Sequence, residues 1–231
     1  MKEDIERFLT YLSVEKGFSG NTLAAYQNDL SQLASFAGEH ATIRGLTPAW
    51  VNLNQQLVLN YLLYLKERNY AAATIARKVA AAKSFFNFMM AEGNLKNNPI
   101  ENVGSPNVGR LLPKPISVSQ VRRLLEQPDK LSTREAKRDK AMLHLLYASG
   151  MRVSELVSLN SDHITDDGYV RCFGKGNKER LIPIHQKATS AIEEYEKEVR
   201  PHLTRNSEQK ALFLNRRGER LTRQGFWQIL K

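Results

Sequence analysis

The residues best suited to chemistry lie in two short stretches, Leu145–Leu156 (LLYASGMRVSEL) and Cys172–Ile184 (CFGKGNKERLIPI). In the first, a helical pattern stops at Gly150, so Arg152 lies at a helix junction and can present its planar guanidinium to two oxygens of a phosphate. In the second, Lys175 stands between two glycines of a predicted hairpin turn and can give a proton to a leaving oxygen. A fixed cation and a proton donor suit phosphodiester transesterification, because negative charge grows on the phosphoryl oxygens in the transition state.

Other interpretations of these two residues stay open at this point. A nucleotide-binding loop is excluded, because the order G-x-x-x-x-G-K-[ST] is absent and a strand, not a helix, is predicted to follow. For Lys175 the local sequence by itself favours an ordinary hairpin turn with a solvated tip. For Arg152 the alternative is a structural ion pair with Glu155 or Asp139.

The charge of the chain indicates a polyanionic partner. The formal net charge is +10, and residues 106–231 carry 24 basic and 15 acidic side chains, against 10 and 9 in residues 1–105. A basic half favours nucleic acid first and an anionic membrane surface second, while an inert basic surface is the alternative.

Several classes of protein are excluded by composition. No run approaches the roughly eighteen apolar residues of a membrane span, and the amphipathic N-terminus is unlike a signal peptide. The single cysteine, Cys172, rules out an intrachain disulfide framework and a multi-cysteine zinc site. We therefore expect a cytoplasmic protein with no membrane partner.

Four sets of apolar residues at helical spacing predict a helical bundle in the first half of the chain. The sets are Ile5, Phe8, Leu9 and Leu12; Leu23, Tyr26, Leu30 and Leu33; Val58, Tyr61, Leu62 and Leu65; and Ile75, Val79, Ala82, Phe85, Phe86 and Met89. Ser19 is predicted to cap the second helix.

The predicted domains are residues 1–105, a linker at 106–118 with prolines and glycines, and residues 119–231. The second domain opens with a helix whose Val121, Leu124 and Leu125 are expected to face inward. Further helices are predicted at 133–149, 186–199 and from 221 onward, strands at 169–173 and 179–184, and a possible strand at 211–214.

These patterns resemble the tyrosine recombinase (phage integrase) family, and within it the bacterial Xer-type recombinases. The resemblance is carried by SGNTLAAYQNDL (Ser19–Leu30), RDKAMLHLLYASGMRVSELVSL (Arg138–Leu159), GKGNKERLIPI (Gly174–Ile184) and LTRQGFWQILK (Leu221–Lys231). It implies a mainly α fold with a small antiparallel sheet. A four-helix core-binding (SAM-like) domain would precede an α+β catalytic domain that lacks its C-terminal part.

The resemblance also implies an activity. Family members cut one DNA strand at a time with a tyrosine that forms a 3′-phosphotyrosyl link, and they use neither ATP nor a metal or other cofactor. By motif, Arg152 matches the arginine that holds the scissile phosphate, and Lys175 matches the lysine that protonates the leaving 5′-oxygen. The implied partners are double-stranded DNA and other recombinase subunits, as a tetramer on two sites. Chromosome-dimer resolution at cell division is favoured over mobile-element integration or inversion.

Candidate DNA contacts come partly from charge and partly from the resemblance. Cationic residues of the fourth helix lie on or beside its polar face, where a merely solvated face is the alternative, and the resemblance adds the start of the second helix. Two cations beyond the hairpin turn are assigned to the DNA backbone. The candidate DNA-binding residues are Thr22, Arg77, Lys78, Lys83, Lys178, Arg180 and Arg223.

The tyrosine nucleophile is the main departure from the family pattern. Family members continue past the segment that matches Leu221–Lys231 into a His-x-x-Arg motif and the tyrosine, so we expect this chain to bind DNA without cleaving it. His202–Arg205 has the spacing but precedes that segment, and we interpret it as a surface stretch. None of the eight tyrosines lies where cations would favour a phenolate. A non-enzymatic DNA-binding regulator of a recombination site is the alternative.

Overall fold

The helices of the first half follow the apolar periodicity of the sequence. The computed structural model describes residues 1–109, 114–174 and 178–231, and the chain divides into two units, Met1–Leu112 and Pro113–Lys231. The helices of the first unit are α1 (Lys2–Val14), α2 (Gly20–Ile43), α3 (Gln55–Glu67) and α4 (Ala72–Ala91).

Polar side chains begin two of these helices. The backbone N–H of Thr22 donates to Ser19 Oγ at the start of α2, which confirms the predicted cap. The backbone N–H of Leu57 donates to Asn54 Oδ1 at 2.9 Å at the start of α3. Each bond satisfies an N–H group that has no partner within its own helix.

The core of the first unit is aromatic and lies between α1, α2 and α4. Phe8, Phe85 and Phe86 are fully buried, with the rings of Phe8 and Phe85 packed edge to face at 5.5 Å. Trp50 closes the core, with its ring 4.8 Å from that of Phe85. Burial of each such side chain contributes about 1.5–3 kcal/mol relative to exposure, so the apolar stripes hold the bundle together as predicted.

The second unit combines helices with one hairpin. The helices are α5 (Val118–Glu126), α6 (Arg134–Ser149), α7 (Val153–Ser158), α8 (Gln186–Glu198), α9 (Arg200–Leu203) and α10 (Arg223–Leu230). Strands β1 (Tyr169–Phe173) and β2 (Glu179–Pro183) pair antiparallel, with Cys172 opposite Arg180. The mainly α fold with a small antiparallel sheet is thereby confirmed.

One local expectation for this unit is wrong and another is confirmed. Residues Ala211–Leu214 are fully buried but make only isolated bridges, Asn160 with Ala211 and Leu214 with Arg220, so their apolar run marks a buried connection and not a strand. No residue of α5 is fully buried. Its apolar residues Val121, Leu124 and Leu125 are half-buried while the rest of the helix is exposed, and Leu125 packs against the core of the unit, so they face inward as predicted.

The predicted domain limits stay predictions. The proposed linker at 106–118 includes residues 110–113, which lie outside the described residues. Its last residue, Val118, already begins α5, which Ser117 caps. Within the described ranges, every helix is too short or too polar to cross a bilayer.

Candidate active site

Arg152 lies at a sharp junction between two helices. Helix α6 ends at Gly150, whose φ of 60° is the left-handed conformation that glycine adopts without strain. Arg152 has an extended backbone and occupies the N-cap position of α7, without a capping bond from its side chain. Its side chain is 73% exposed, so the guanidinium is available to a ligand, as the sequence indicates.

The carboxylate of Glu155 holds both the backbone and the side chain of Arg152. The Arg152 backbone N–H donates to Glu155 Oε2 at 2.8 Å, and Arg152 Nη1 donates to Glu155 Oε1 at 3.1 Å. Burial alone would raise the pKa of Glu155, whose side chain is only 7% exposed. The bonds from Arg152 and the charge of Arg180 outweigh burial and hold the pKa below its usual range. Glu155 is therefore an ionised anchor at neutral pH.

Arg180 of β2 shares this anchor. Its Nη2 donates to Glu155 Oε1 at 2.9 Å, the same oxygen that accepts from Arg152. Nη2 also lies 3.7 Å from Cys172 Sγ on β1. Burial raises the pKa of the Cys172 thiol, so the thiol is uncharged and Glu155 supplies the negative charge next to Arg180.

The base of the hairpin also lies against Glu155. The Gly174 N–H donates to the carbonyl of Lys178 at 2.9 Å. A Cβ on Gly174 would stand 3.8 Å from Glu155 Oε1, at ordinary contact distance. Lys175, the predicted proton donor, follows Gly174 directly and lies outside the described residues, as do residues 176 and 177.

Helix α7 is fixed at its far end by Arg220. Arg220 Nη1 donates to the carbonyls of Val157 and Leu159 at 3.1 and 2.8 Å, and Nη2 donates to Asn160 Oδ1 at 2.6 Å. These bonds satisfy carbonyls that a helix C-terminus leaves without partners. Arg152 thus stands on a short helix that is held at both ends.

The cluster of Arg152, Glu155 and Arg180 carries one negative and two positive charges. An exposed guanidinium on a fixed support can bind two oxygens of a phosphate and stabilise charge that develops on them. Within residues 1–109, 114–174 and 178–231, no group of three or more His, Cys, Asp or Glu side chains could hold a metal ion. The sequence motifs offered Glu155 only as an alternative partner for Arg152, and the buried carboxylate between two arginines was not foreseen.

The remaining candidate DNA-binding residues of the second unit are on its surface. Lys178 is exposed beside β2. Arg223 is exposed as the first residue of α10, whose Thr222 side chain caps the helix. Arg180 is partly exposed but engaged with Glu155, so its contacts differ from those of a free surface cation.

In the first unit, Lys78 corrects a prediction. Its side chain is 5% exposed, and its Nζ lies 2.8 Å from Oδ1 of the buried Asp29 on α2. Arg77 binds the other oxygen of Asp29 from a partly exposed position. The expectation that Lys78 lies on the polar face is wrong, because a buried carboxylate from another helix draws it inward. Asp29 lies three residues after Tyr26 and four before Leu33 of the apolar stripe, and this helical spacing is the signal that could have revealed the pair.

The other two candidates of the first unit are half-buried. Lys83 lies on α4, and Thr22 lies in the first turn of α2. The Thr22 hydroxyl is 2.9 Å from Ser19 Oγ, so it takes part in the cap of α2. Each of these two residues therefore keeps part of its surface exposed, where it can contact DNA.

The tyrosines do not form a nucleophilic site with this cluster. Tyr195 is fully buried and its hydroxyl accepts from the Leu214 N–H at 3.2 Å. Burial raises the pKa of both Tyr195 and Tyr61, which opposes formation of a phenolate. In the described part of the chain, no tyrosine hydroxyl is hydrogen-bonded to Arg152 or Arg180. His202 and Arg205 are both exposed on the surface.

Both units of the chain match families of phage integrases. Residues 114–231 match the Phage integrase family, and residues 5–93 match the Phage integrase, N-terminal SAM-like domain. Tyrosine recombinase XerC of Herpetosiphon aurantiacus is 50% identical over 232 residues, which cover 100% of this chain and 74% of that protein.

Two solved structures share the fold. A lambda integrase dimer bound to a COC′ core site has a TM-score of 0.68 at 16% identity, over 100% of this chain and 76% of that one. The XerH site-specific recombinase bound to palindromic difH, in a post-cleavage complex, has a TM-score of 0.67 at 19% identity, over 95% and 73%. At these identities the likeness concerns the fold.

Proposed function

Because the chain belongs to the phage integrase family of tyrosine recombinases, we propose that it recombines double-stranded DNA at specific sites through a 3′-phosphotyrosyl intermediate. The observation that carries the proposal is the exposed guanidinium of Arg152, which a buried carboxylate fixes at the start of α7. A cation held in this way binds a phosphate without losing much side-chain freedom at the moment of reaction.

The proposed chemistry is a transesterification. Arg152 binds the two non-bridging oxygens of the scissile phosphate and neutralises the charge that grows there. The phenolate oxygen of a deprotonated tyrosine forms a bond to phosphorus while the bond from phosphorus to the 5′-oxygen breaks, and Lys175 gives that oxygen its proton. The phosphodiester energy is retained in the tyrosyl ester, so rejoining is the same step in reverse and requires no ATP.

Glu155 supports this step without touching DNA. Its carboxylate fixes the backbone and side chain of Arg152, and the base of the Lys175 hairpin lies against it. The same carboxylate therefore aligns Arg152 with the two paired strands that flank Lys175 in the sequence.

We assign DNA contacts to exposed or half-buried polar residues of both units. Cationic side chains in these places neutralise backbone phosphates and position the duplex, while sequence is recognised by contacts that depend on the aim of each side chain. The proposed contact residues are Thr22, Arg77, Lys83, Lys178 and Arg223.

The nucleophile is proposed to come from residues beyond the 231 of this chain. In the described residues no tyrosine hydroxyl is hydrogen-bonded to a lysine or arginine that would favour its phenolate, and this chain covers 74% of the length of the XerC relative. The 231 residues are accordingly expected to bind DNA and not to cleave it. If no such tyrosine exists, the chain is a regulator that occupies a recombination site.

A nicked suicide substrate tests this proposal. After cleavage, the short strand that carries the freed 5′-hydroxyl diffuses away, so the covalent adduct cannot be reversed. The substrate uses a duplex that has been selected for binding to the chain. We expect the 231 residues to form no covalent adduct with this substrate. A longer chain that continues through a tyrosine-bearing segment is expected to form one. Replacement of that tyrosine by Phe should abolish the adduct. An adduct with the 231 residues would show that one of their own tyrosines attacks. If the longer chain also formed no adduct, the result would favour the alternative, a regulator that occupies a recombination site.

We further propose a biological role for the recombination. The resemblance to Xer-type recombinases favours chromosome-dimer resolution at cell division, by a tetramer on two sites in the cytoplasm. Sequencing of the chromosomal DNA that the chain captures in cells is expected to show one principal site. Capture at the ends of a mobile element would instead favour integration or inversion.

A further inference from the structure

Arg180 donates to a buried carboxylate and is not a free surface cation. Its Nη2 donates at 2.9 Å to Glu155 Oε1, which also accepts from Arg152 Nη1 at 3.1 Å. The guanidinium is about half exposed. One buried oxygen thus joins a residue at the start of α7 to a residue of β2.

The charge balance of this cluster depends on Arg180. Arg152 and Glu155 alone form a neutral pair, and a carboxylate that is bound to one arginine lowers the attraction of that arginine for a phosphate. A second guanidinium on the same carboxylate restores one net positive charge. Because Arg180 compensates the charge of Glu155, the positive charge of Arg152 can attract a phosphate that binds to its exposed side.

The same bond connects the helix to the hairpin. Arg180 faces Cys172 across the strand pair, and its Nη2 lies 3.7 Å from Cys172 Sγ. A Cβ on Gly174 would stand 4.0 Å from Arg180 Cζ and 3.8 Å from Glu155 Oε1. Arg180 thereby fixes the position of the hairpin relative to Arg152 at the base of the turn.

We propose that Arg180 is a positioning residue, which neutralises Glu155 and locks the hairpin to α7 so that Arg152 faces the phosphate with its full charge. The inference rests on the proposed function, because it assigns Arg180 a role in the same phosphate site. It replaces the assignment of Arg180 to a backbone contact with DNA.

A double-mutant cycle on duplex binding by the 231-residue chain tests the inference. If Arg180 acts by neutralising Glu155, Arg180→Ala weakens binding roughly tenfold in the native background, since residues in contact couple by amounts of this order. The loss shrinks to about twofold or less in the Glu155→Gln background, where there is no charge to neutralise. If Arg180 bound a phosphate itself, both backgrounds would lose the same affinity and the log–log salt slope would fall by about 0.9 in each. That result overturns the inference.

Arg171→Ala is the matched control on the same hairpin. Arg171 Nε lies 3.0 Å from Glu179 Oε1 across the two strands, and both side chains are partly exposed. Its removal deletes a guanidinium and an ion pair but leaves Glu155 untouched, so its effect on binding is expected to be equal in the two backgrounds. Thermal unfolding of each variant shows that the compared chains are folded.

Two further measurements separate this inference from the proposed function. NMR titration of the Glu155 carboxyl needs no DNA: its midpoint is expected to rise in Arg180→Ala and not in Arg171→Ala, and an unchanged midpoint contradicts the inference. In a chain that cleaves DNA, Arg180→Ala is expected to slow cleavage at saturating duplex, and Arg180→Lys to recover part of the rate. Cleavage at the native rate in Arg180→Ala overturns the positioning role while the recombinase proposal stands. A native chain that binds no duplex contradicts the proposed function itself.

Discussion

The guanidinium of Arg152 presents its N–H groups in a fixed plane, which matches the two non-bridging oxygens of a phosphate better than the single point charge of a lysine. The sequence suggested two roles for this residue, a phosphate ligand or a partner of Glu155. The two are compatible in the structure, because the ion pair uses one edge of the side chain while 73% of it remains exposed. What the sequence could not reveal is Arg180, which approaches Glu155 from a strand 25 positions along the chain.

The different roles of Arg152 and Lys175 predict different responses to the leaving group. In a chain that cleaves DNA, Arg152→Ala is expected to slow cleavage by about 10³-fold and Lys175→Ala by about 10²–10⁴-fold. A substrate with sulfur in place of the bridging 5′-oxygen leaves as a thiolate and needs no proton. Cleavage rates on this substrate are expected to recover for Lys175→Ala and to stay low for Arg152→Ala.

Arg171→Ala serves as the control, because it removes a hairpin cation that does not touch Glu155. It is expected to cleave both substrates at native rates. Equal recovery of the Arg152 and Lys175 variants on the sulfur substrate would refute the separate roles given to them.

The helices of the first unit could be predicted because each buries one continuous apolar stripe, and periodicity records such a face directly. Periodicity does not predict the structure correctly where residues are buried for a reason other than lying on the apolar face of a helix. Residues Ala211–Leu214 are buried as a connection with two bridges, and their apolar run looks like a strand. Lys78 is buried through a partner on α2, 49 positions away, and a lysine on a helix is otherwise expected in solvent.

The buried pair of Lys78 and Asp29 predicts unequal effects for its two members. Asp29→Ala leaves the ammonium of Lys78 buried without its carboxylate, and we expect a loss of about 3–5 kcal/mol in the free energy of unfolding. Lys78→Met keeps the shape of the side chain and leaves Asp29 bound to Arg77, so the expected loss is smaller, about 1.5–3 kcal/mol for the charged hydrogen bond that is removed. Urea unfolding measures both.

DNA binding distinguishes the buried lysine from a half-buried one on the same helix. Lys78→Met is expected to leave the salt slope of duplex binding unchanged, because its ammonium faces Asp29. Lys83→Met is the matched variant, and its slope is expected to fall by about 0.9. A lower slope for Lys78→Met would restore Lys78 as a phosphate contact.

The distribution of charge along the chain determines how binding should respond to salt. The net charge of +10 lies almost entirely in residues 106–231, while the first unit contributes a few cations on α4. Each phosphate that a cation neutralises releases counterions, so the affinity for a duplex falls linearly with salt on logarithmic axes. If the four cations among the proposed contacts, together with Arg152 and Lys175, neutralise about six phosphates, affinity should fall roughly a thousandfold between 50 and 200 mM salt. Fluorescence anisotropy with a labelled duplex measures the slope. An affinity that stays constant across this range would contradict phosphate binding by the basic half and, with it, the recombinase proposal.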